Sequence, residues 1–185
     1  MKIWTEKDRH EIIQSLKQNE LWAIKTDTVF GIMAIMSKVN ETRINQLKQS
    51  PLDKRISIIV ENKEYLKKYV EKLTLEKEQL IETKLPGKYT FIVKLNKDFC
   101  ISKGFSRQDF GVRITTNEFL QSIIQETGPL LASSCNISGQ SPCSNTTEII
   151  NQFENTPLNV VEGTVEDNTP STIISIIDDI KIIRP

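Results

Sequence analysis

The sequence predicts an α/β protein in which helices flank a twisted, mixed β-sheet. Short apolar, β-branched runs recur along the chain, and segments whose apolar residues follow a helical spacing separate them. The chain has 185 residues, of which 38% are hydrophobic and 26% charged, an ordinary composition for a globular protein. Because this length fits one domain with a substantial core, we expect residues 1–185 to form a single domain.

The elements of the first half follow from caps and apolar spacing. Thr5 is a suitable N-cap for a helix that reaches about Gln18. Proline should end a second helix, over residues 40–49, at Pro51. Two more helices are expected over residues 61–84, where charged residues alternate with inward-facing leucines. Strands are expected at residues 21–24, 32–35 and 56–60.

In the second half, a turn at Pro86 and Gly87 precedes further alternation of strands and helices. Helices are expected over residues 117–126 and 146–153, and residues 96–110 have a loop-like composition. Strands are expected at residues 89–95, 111–114, 130–132, 160–161, 173–177 and 180–183.

The amino-acid composition of the chain disfavours several classes of protein. The 24 basic and 24 acidic residues cancel, so no global field attracts nucleic acid or an anionic membrane. No apolar run approaches the roughly 20 residues that span a bilayer, and the N-terminus does not resemble a signal peptide, so we expect a cytoplasmic protein without membrane contact.

The three cysteines form no CxxC pair, so no zinc site or other metal site is expected. His10 is the only histidine, which leaves catalysis to positioning and electrostatics.

Three polar turns begin or end apolar strands, at residues 26–31, 133–139 and 169–172. Their hydroxyl and amide groups suit the orientation of a polar small molecule, although each could be a plain turn that bonds its own backbone. Arg113 is unusual because it lies in a predicted strand, where an unpaired guanidinium is costly. The sequence contains neither a P-loop nor a dinucleotide-binding fingerprint. Cations that could pair with phosphate or carboxylate are Lys48, Lys54, Arg55, Arg113 and Arg184.

Six motifs in a fixed order resemble those of the YrdC/TsaC family of threonylcarbamoyl-AMP synthases, in its single-domain form. They are Lys25-Thr26-Asp27-Thr28-Val29-Phe30-Gly31, Lys48-Gln49-Ser50-Pro51, Pro86-Gly87-Lys88-Tyr89-Thr90, Val112-Arg113-Ile114, Ser134-Cys135-Asn136-Ile137-Ser138-Gly139 and Pro170-Ser171-Thr172-Ile173-Ile174. The resemblance implies a YrdC-like fold around a concave basic cavity.

It also implies an activity and partners. The family joins L-threonine, bicarbonate or carbon dioxide, and ATP into L-threonylcarbamoyl-adenylate and releases pyrophosphate. Mg²⁺ is expected to accompany ATP, held mainly by phosphates and water. A transfer complex then moves the threonylcarbamoyl group onto an adenosine of tRNA, and the family's concave surface is linked to double-stranded RNA.

The resemblance assigns roles to individual residues. Lys48, Ser134 and Asn136 match catalytic positions that contact the nucleotide phosphates and the carbamate. Thr26, Arg113 and Thr172 are expected to bind threonine, with Arg113 as the partner of its carboxylate. The expected nucleotide-binding residues are Lys48, Lys54, Arg55, Asn136, Ser138 and Arg184.

The sequence also departs from the family pattern. Lys25 and Lys88 replace prolines, Cys135 replaces an alanine, and Ser50 stands where the family has an arginine. Serine cannot replace a bidentate guanidinium, so our hypothesis is that Arg55 or Lys54 supplies the missing charge. Ser50 keeps two alternatives open: a YciO-like paralogue without synthase activity, and an RNA-binding protein of the same fold.

Overall fold

A ten-stranded sheet runs through the computed structural model, which describes residues 2–185. The strand order is β1-β8-β2-β3-β7-β4-β6-β5-β9-β10, with four parallel and five antiparallel pairings. The prediction of a mixed sheet is therefore confirmed. The strands are β1 (Ile3–Trp4), β2 (Leu21–Lys25), β3 (Phe30–Ile35), β4 (Ser57–Ile59), β5 (Tyr89–Lys94), β6 (Asp109–Arg113), β7 (Leu130–Ser134), β8 (Leu158–Val161), β9 (Thr172–Ser175) and β10 (Lys181–Arg184).

Helices flank the sheet, and most begin at a residue whose side chain accepts a hydrogen bond from the first turn. Ser37, Asn62, Asn96, Asn117 and Asn145 cap helices in this way. The helices are α1 (Arg9–Lys17), α2 (Lys38–Leu47), α3 (Lys63–Tyr69), α4 (Leu75–Lys84), α5 (Lys97–Ser102), α6 (Glu118–Thr127) and α7 (Thr146–Gln152). Across residues 2–185, none of them is long and apolar enough to cross a membrane.

The two faces of the sheet are covered unequally. Helices α1 and α6 pack on one face against the cluster that contains Trp22, Ile24 and Met33. The other face carries the larger core, to which α2, α3, α4, α5 and α7 contribute. Two helices cannot span a sheet of this width, because strands lie about 4.8 Å apart and a helix is about 10 Å across. Part of the first face is therefore left open.

Three sequence expectations differ from the structure. Residues 96–110 were expected to be a loop, but they contain α5 and the start of β6; α5 escapes notice because it has six residues, of which Cys100 is buried. Strand β1 was not among the expected strands; it has two residues and depends on its parallel pairing with β8. Ser133 and Ser134 belong to β7 rather than to a turn, since they pair with Ile32 and Gly31 of β3.

Candidate functional site

A cavity of about 300 Å³ lies on the open part of the sheet. That volume is at the lower end for a small-molecule site. Its lining comes from strands β3, β4, β5, β6, β7, β9 and β10, from the turn between β2 and β3, and from the segments that precede β4 and β9. The lining residues are Thr26, Thr28, Val29, Gly31, Lys54, Arg55, Ile56, Ser57, Ile59, Thr90, Arg113, Ala132, Ser133, Ser134, Pro170, Ser171, Ile173 and Arg184.

The lining has a distinctive chemistry, with four cations, seven hydroxyl side chains and no carboxylate. Guanidinium and ammonium groups pair with phosphate or carboxylate, and hydroxyls can donate to the same oxygens. The arrangement therefore suits a polyanionic ligand with polar substituents.

The floor of the cavity is open because small residues occupy it. Gly31 lies opposite Ser134 in the register of β3 and β7, and Ser57 lies opposite Ala132. Gly111 of β6 belongs to the same face, where a Cβ atom would collide with Ser57 Oγ. Larger side chains here would fill the space that a ligand needs.

Arg113 is held at the end of β6 by three groups. Its Nη2 lies 2.8 Å from Asp27 Oδ1, its Nε donates to Gly87 O at 3.1 Å, and its Nη1 donates to Thr28 Oγ1. Burial lowers the pKa of Arg113, whereas the Asp27 charge raises it. Burial also raises the pKa of Asp27, but Arg113 and a hydrogen bond from Thr115 outweigh that effect and lower the pKa below its ordinary value. Asp27 thus fixes a buried guanidinium at the cavity wall.

Thr26 organises the turn between β2 and β3. Its hydroxyl accepts hydrogen bonds from Thr28 N at 3.0 Å and Val29 N at 3.2 Å, and it lies 2.8 Å from Val29 O. It lies 2.9 Å from the Thr28 hydroxyl, which in turn contacts Arg113. Thr26 lines the cavity, but its hydroxyl is already engaged within the turn.

Lys48 lies beneath the second polar turn. It is 2% exposed and does not line the cavity. Its Nζ donates to Ser134 O, to Asn136 O at 2.8 Å and to Asn136 Oδ1 at 3.2 Å. Ser134 Oγ also donates to Asn136 Oδ1, at 2.6 Å. Because burial disfavours its charged form, the pKa of Lys48 falls to about 8.

The remaining cations reach the cavity from its rim. Lys54 and Arg55 lie on the exposed loop before β4, and Arg55 pairs with Asp109 at the start of β6. Arg184 of β10 donates to Ser171 O, 2.6 Å from Nη2. Asn45 of α2 fixes the loop by donating to Lys54 O at 2.7 Å and Leu52 O at 3.2 Å.

The structure brings together most of the predicted site residues. Six of them line the cavity, and Lys48 and Asn136 lie directly behind Ser134. The lining six are Thr26, Lys54, Arg55, Arg113, Ser134 and Arg184.

Besides Lys48 and Asn136, two further predicted residues lie outside the lining. Thr172 lies on the opposite face of β9, because successive side chains alternate and its neighbours Ser171 and Ile173 face the cavity. The amide N of Ser138 donates to Lys48 O at 2.8 Å, so this residue belongs to the turn behind the cavity.

Sequence reasoning overlooked the hydroxyls of Ser57, Thr90 and Ser171. Thr90 and Ser171 lie 2.7 Å apart at the far wall. A signal was available, since Ser57 and Thr90 are single polar residues inside otherwise apolar runs, where a lone hydroxyl has a cost unless it finds a partner. Ser50, which replaces the family arginine, is buried and absent from the lining.

The fold and the cavity together define a class of protein: α/β proteins with a mixed sheet whose open face carries a cavity lined by cations and hydroxyls. The Sua5/YciO/YrdC family model, described as "Telomere recombination", matches residues 14–185. The chain belongs to this family.

Curated relatives cover most of the chain. This chain is 29% identical over 174 residues to a threonylcarbamoyl-AMP synthase of Vibrio campbellii, and the match covers 90% of this chain and 93% of that protein. A threonylcarbamoyl-AMP synthase of Yersinia enterocolitica is 31% identical over 149 residues, 77% of each chain.

Solved structures share the fold. P. abyssi Sua5 complexed with L-threonine matches with a TM-score of 0.86 at 22% identity, covering 100% of this chain and 57% of that one. E. coli YciO matches with a TM-score of 0.85 at 20% identity, covering 99% and 94%. The chain therefore spans little more than half of the Sua5 chain, and both matches bear on the fold alone.

Proposed function

We propose that this protein synthesises L-threonylcarbamoyl-adenylate from L-threonine, bicarbonate or carbon dioxide, and ATP, with release of pyrophosphate. The observation that carries the proposal is the cavity lined by four cations and seven hydroxyls without a carboxylate. Its chemistry matches a reaction that brings together zwitterionic threonine, polyanionic ATP and an anionic carbamate intermediate. The curated relatives named threonylcarbamoyl-AMP synthase support the same activity.

The chemistry needs alignment more than proton transfer. The neutral amine of threonine gives a carbamate, either with bicarbonate and loss of water or with carbon dioxide and loss of a proton. A carbamate oxygen then attacks the α-phosphorus of ATP, and the bond to the pyrophosphate oxygen breaks. Two anions must therefore be held together, which cations and fixed dipoles achieve by neutralising the charge and by fixing the geometry.

We assign the residues accordingly. Arg113 pairs with the threonine carboxylate, and Thr26 contributes the turn beside it. Lys54, Arg55 and Arg184 neutralise the phosphates of ATP from the rim. Ser134 lies between the two groups, with Asn136 and Lys48 holding it from behind, and Ser138 supports that turn. Thr172 acts through the placement of its neighbour Ser171.

Mg²⁺ fits this site as a companion of ATP. Over residues 2–185, no group of three His, Cys, Asp or Glu side chains is placed to hold a metal. The cavity supplies hydroxyls and no carboxylate, so the phosphates and water would provide most of the magnesium ligands. The ion would neutralise charge on the phosphates.

We place the reaction in the cytoplasm, ahead of a separate transfer complex that moves the threonylcarbamoyl group onto tRNA. The adenylate is a reactive mixed anhydride, so its consumer must act before water does. Direct contact with tRNA or double-stranded RNA is a secondary proposal, supported by the cations at the rim of the cavity.

The decisive experiment incubates the purified protein with ATP, Mg²⁺, bicarbonate and single amino acids, and measures pyrophosphate and the adenylate. We expect release with threonine and little with valine, which lacks the hydroxyl. Pyrophosphate release that does not depend on threonine would contradict the proposal. It would favour a YciO-like paralogue, and RNA binding without turnover would favour an RNA-binding protein.

The hypothesis on the missing arginine makes a separate prediction. Arg55→Ala should lower threonine-dependent pyrophosphate release roughly 10-fold or more, because a charge-assisted contact to phosphate is worth about 1.5–3 kcal/mol. Lys54→Ala should have a smaller effect, since its ammonium cannot bind in a bidentate manner.

Lys97→Ala is the matched control for these two variants. Lys97 is an exposed lysine of α5 that does not line the cavity. Unchanged rates for both the Arg55 and the Lys54 variants would overturn the hypothesis.

A further inference from the structure

Cys135 and Cys143 are two buried thiols in adjacent segments behind the cavity. Cys135 is 0% exposed and Cys143 is 3% exposed. Cys143 N donates to Cys135 O at 2.8 Å. This backbone hydrogen bond holds the two residues side by side; residues joined in this way in a sheet have Cα atoms roughly 5.5 Å apart, a separation that a disulfide can bridge.

The two side chains also interact, and they are chemically unequal. The neighbouring Cys135 thiol lowers the pKa of Cys143 against burial and the nearby Glu148 carboxylate, and the Lys48 ammonium adds to the lowering. The Cys143 thiol and burial together raise the pKa of Cys135. Cys143 Sγ also donates to Gln152 Oε1, at 3.7 Å. Cys143 is thus the thiol that ionises more readily, and the thiolate is the form that reacts with oxidants.

Cys143 is also the thiol that solvent approaches. It lines a shallow groove of about 710 Å³ between the turn and α7, together with Gln49, Ile137 and Pro142. Cys135 lies deeper, in the core. A small oxidant in the groove therefore meets Cys143 first.

The segment between the two thiols carries part of the proposed site. Cys135 lies between Ser134 and Asn136, whose carbonyl oxygens both accept from Lys48 Nζ. Asn136 Nδ2 in turn donates to Ile137 O and Gln140 O, each at 2.8 Å. Any covalent tie across this loop therefore acts on the groups that hold Ser134.

We propose that Cys135 and Cys143 are a peroxide-sensitive modification site, at which a reversible disulfide closes the loop that carries Asn136 and Ser138. The Cys143 thiolate attacks hydrogen peroxide, which gives a sulfenic acid and hydroxide. The Cys135 sulfur then displaces the sulfenic oxygen, which leaves as water once protonated. The O–O bond of the peroxide breaks in the first step, which oxidises Cys143 by two electrons, and the S–O bond breaks in the second step as the S–S bond forms; the Cys135 proton leaves in the water.

Closure draws the Cys135 side chain towards Cys143 and turns its two flanking peptides. The Lys48 ammonium then loses its alignment with the carbonyls of Ser134 and Asn136. In the family motif that this sequence resembles, alanine stands at the position of Cys135, so the thiol pair distinguishes this chain from that pattern. We expect the oxidised protein to be several-fold less active; this activity effect rests on the proposed function, whereas the disulfide does not.

The test treats the full chain with hydrogen peroxide and counts free thiols, with peptide mapping to locate the bond. The three free cysteines should fall to one, with a cross-link between Cys135 and Cys143 that dithiothreitol reverses. Pyrophosphate release should fall and recover in parallel. Cys135→Ala and Cys143→Ala should each keep basal activity and resist the loss, whereas Cys100→Ala should respond like the unmodified chain.

Several outcomes would overturn the proposal. Oxidation of Cys143 to a sulfinic acid without a cross-link would do so, as would a cross-link that involves Cys100. A disulfide that forms without changing pyrophosphate release would contradict the claim that closing the loop disturbs the site. The thiol count and the peptide map do not depend on synthase activity, so failure here is distinguishable from failure of the proposed function.

Discussion

Arg113 is 6% exposed in a strand whose neighbours Val112 and Ile114 are apolar core residues. A buried guanidinium requires a fixed partner, and Asp27 supplies it at 2.8 Å. The planar group is then oriented before any ligand arrives. A donor fixed in this way need not reorient when a carboxylate binds, whereas water molecules must reorient around the same charge.

Arg113→Lys should lower kcat/KM for threonine by about 10- to 100-fold, because an ammonium cannot reproduce a two-point contact with a carboxylate. The KM for ATP should change much less. Threonine- and ATP-dependent titrations of pyrophosphate release separate the two effects.

Arg9→Lys is the control for the Arg113 variant. Arg9 binds Ser122 and Glu126 at the contact of α1 with α6, away from the cavity. An equal rise in KM for both substrates in Arg113→Lys would contradict a role specific to threonine.

Lys48 makes a prediction about pH. Its folded pKa of about 8 lies below the ordinary lysine value of 10.5, so the folded state loses its proton first. Between these values unfolding takes up a proton, and the free energy of unfolding should therefore rise with pH from about 8 to 10, by on the order of 1–3 kcal/mol. Urea denaturation across this range measures the slope.

Lys48→Met should show a smaller slope over the same pH range. Tyr65, whose pKa burial raises, affects both proteins equally and cancels in the difference. Equal slopes would mean that Lys48 keeps its proton in the folded state above pH 8.

At the scale of elements, strand alternation decides which members of a motif reach the cavity. In the segment that leads into β9, Ser171 and Ile173 face the cavity, and Thr172 and Ile174 face the larger core. The sequence predicted Thr172 as the site residue of this motif, but the alternation of side chains along the strand places its neighbours Ser171 and Ile173 at the cavity instead.

Strand β10 contributes Arg184 to the cavity while burying little, since all four of its residues are exposed. Arg184→Ala should therefore raise the KM for ATP about 3- to 10-fold and change the Tm by less than about 2 °C.

Lys181→Ala tests whether that effect is local, because Lys181 lies at the other end of the same strand, opposite Ser175. A fall in Tm as large as that of a core mutation would instead give Arg184 a structural role. Differential scanning calorimetry and nucleotide titrations distinguish the two outcomes.

At the scale of the molecule, the single sheet has helices on both faces, five on one and two on the other. We predict that the two cores unfold together, because the same strands contribute alternate residues to each. Trp22 reports on the smaller core, and the Tyr65–Tyr69–Phe99 aromatic cluster lies on the side of the larger one. Tryptophan fluorescence, near-ultraviolet and far-ultraviolet circular dichroism should give coincident urea transitions.

Two separate transitions would contradict this prediction and the assignment of residues 1–185 to a single domain. Trp22→Phe removes the emission of Trp22 and leaves that of Trp4, which also packs against the smaller core, so it is the control that separates the two contributions to the fluorescence change.

The sequence by itself determined the class of fold, most of the elements and the polar groups from which the site is built. These features are local: β-branched runs favour strands, capping residues mark helix starts, and hydroxyls between apolar runs have a cost unless they find a partner. Short elements such as β1 and α5 were not predicted from the sequence, because they depend on partners that are distant in the chain.

Only the tertiary structure decided which of those groups meet. The open sheet face exists because two helices do not cover ten strands, a consequence of packing that no local pattern records. The ion pair of Asp27 with Arg113 and the contact of Lys48 with the turn at Ser134 join residues more than 80 positions apart. The sequence therefore predicted six of the residues that line the cavity, and the strand order decided which residues lie together.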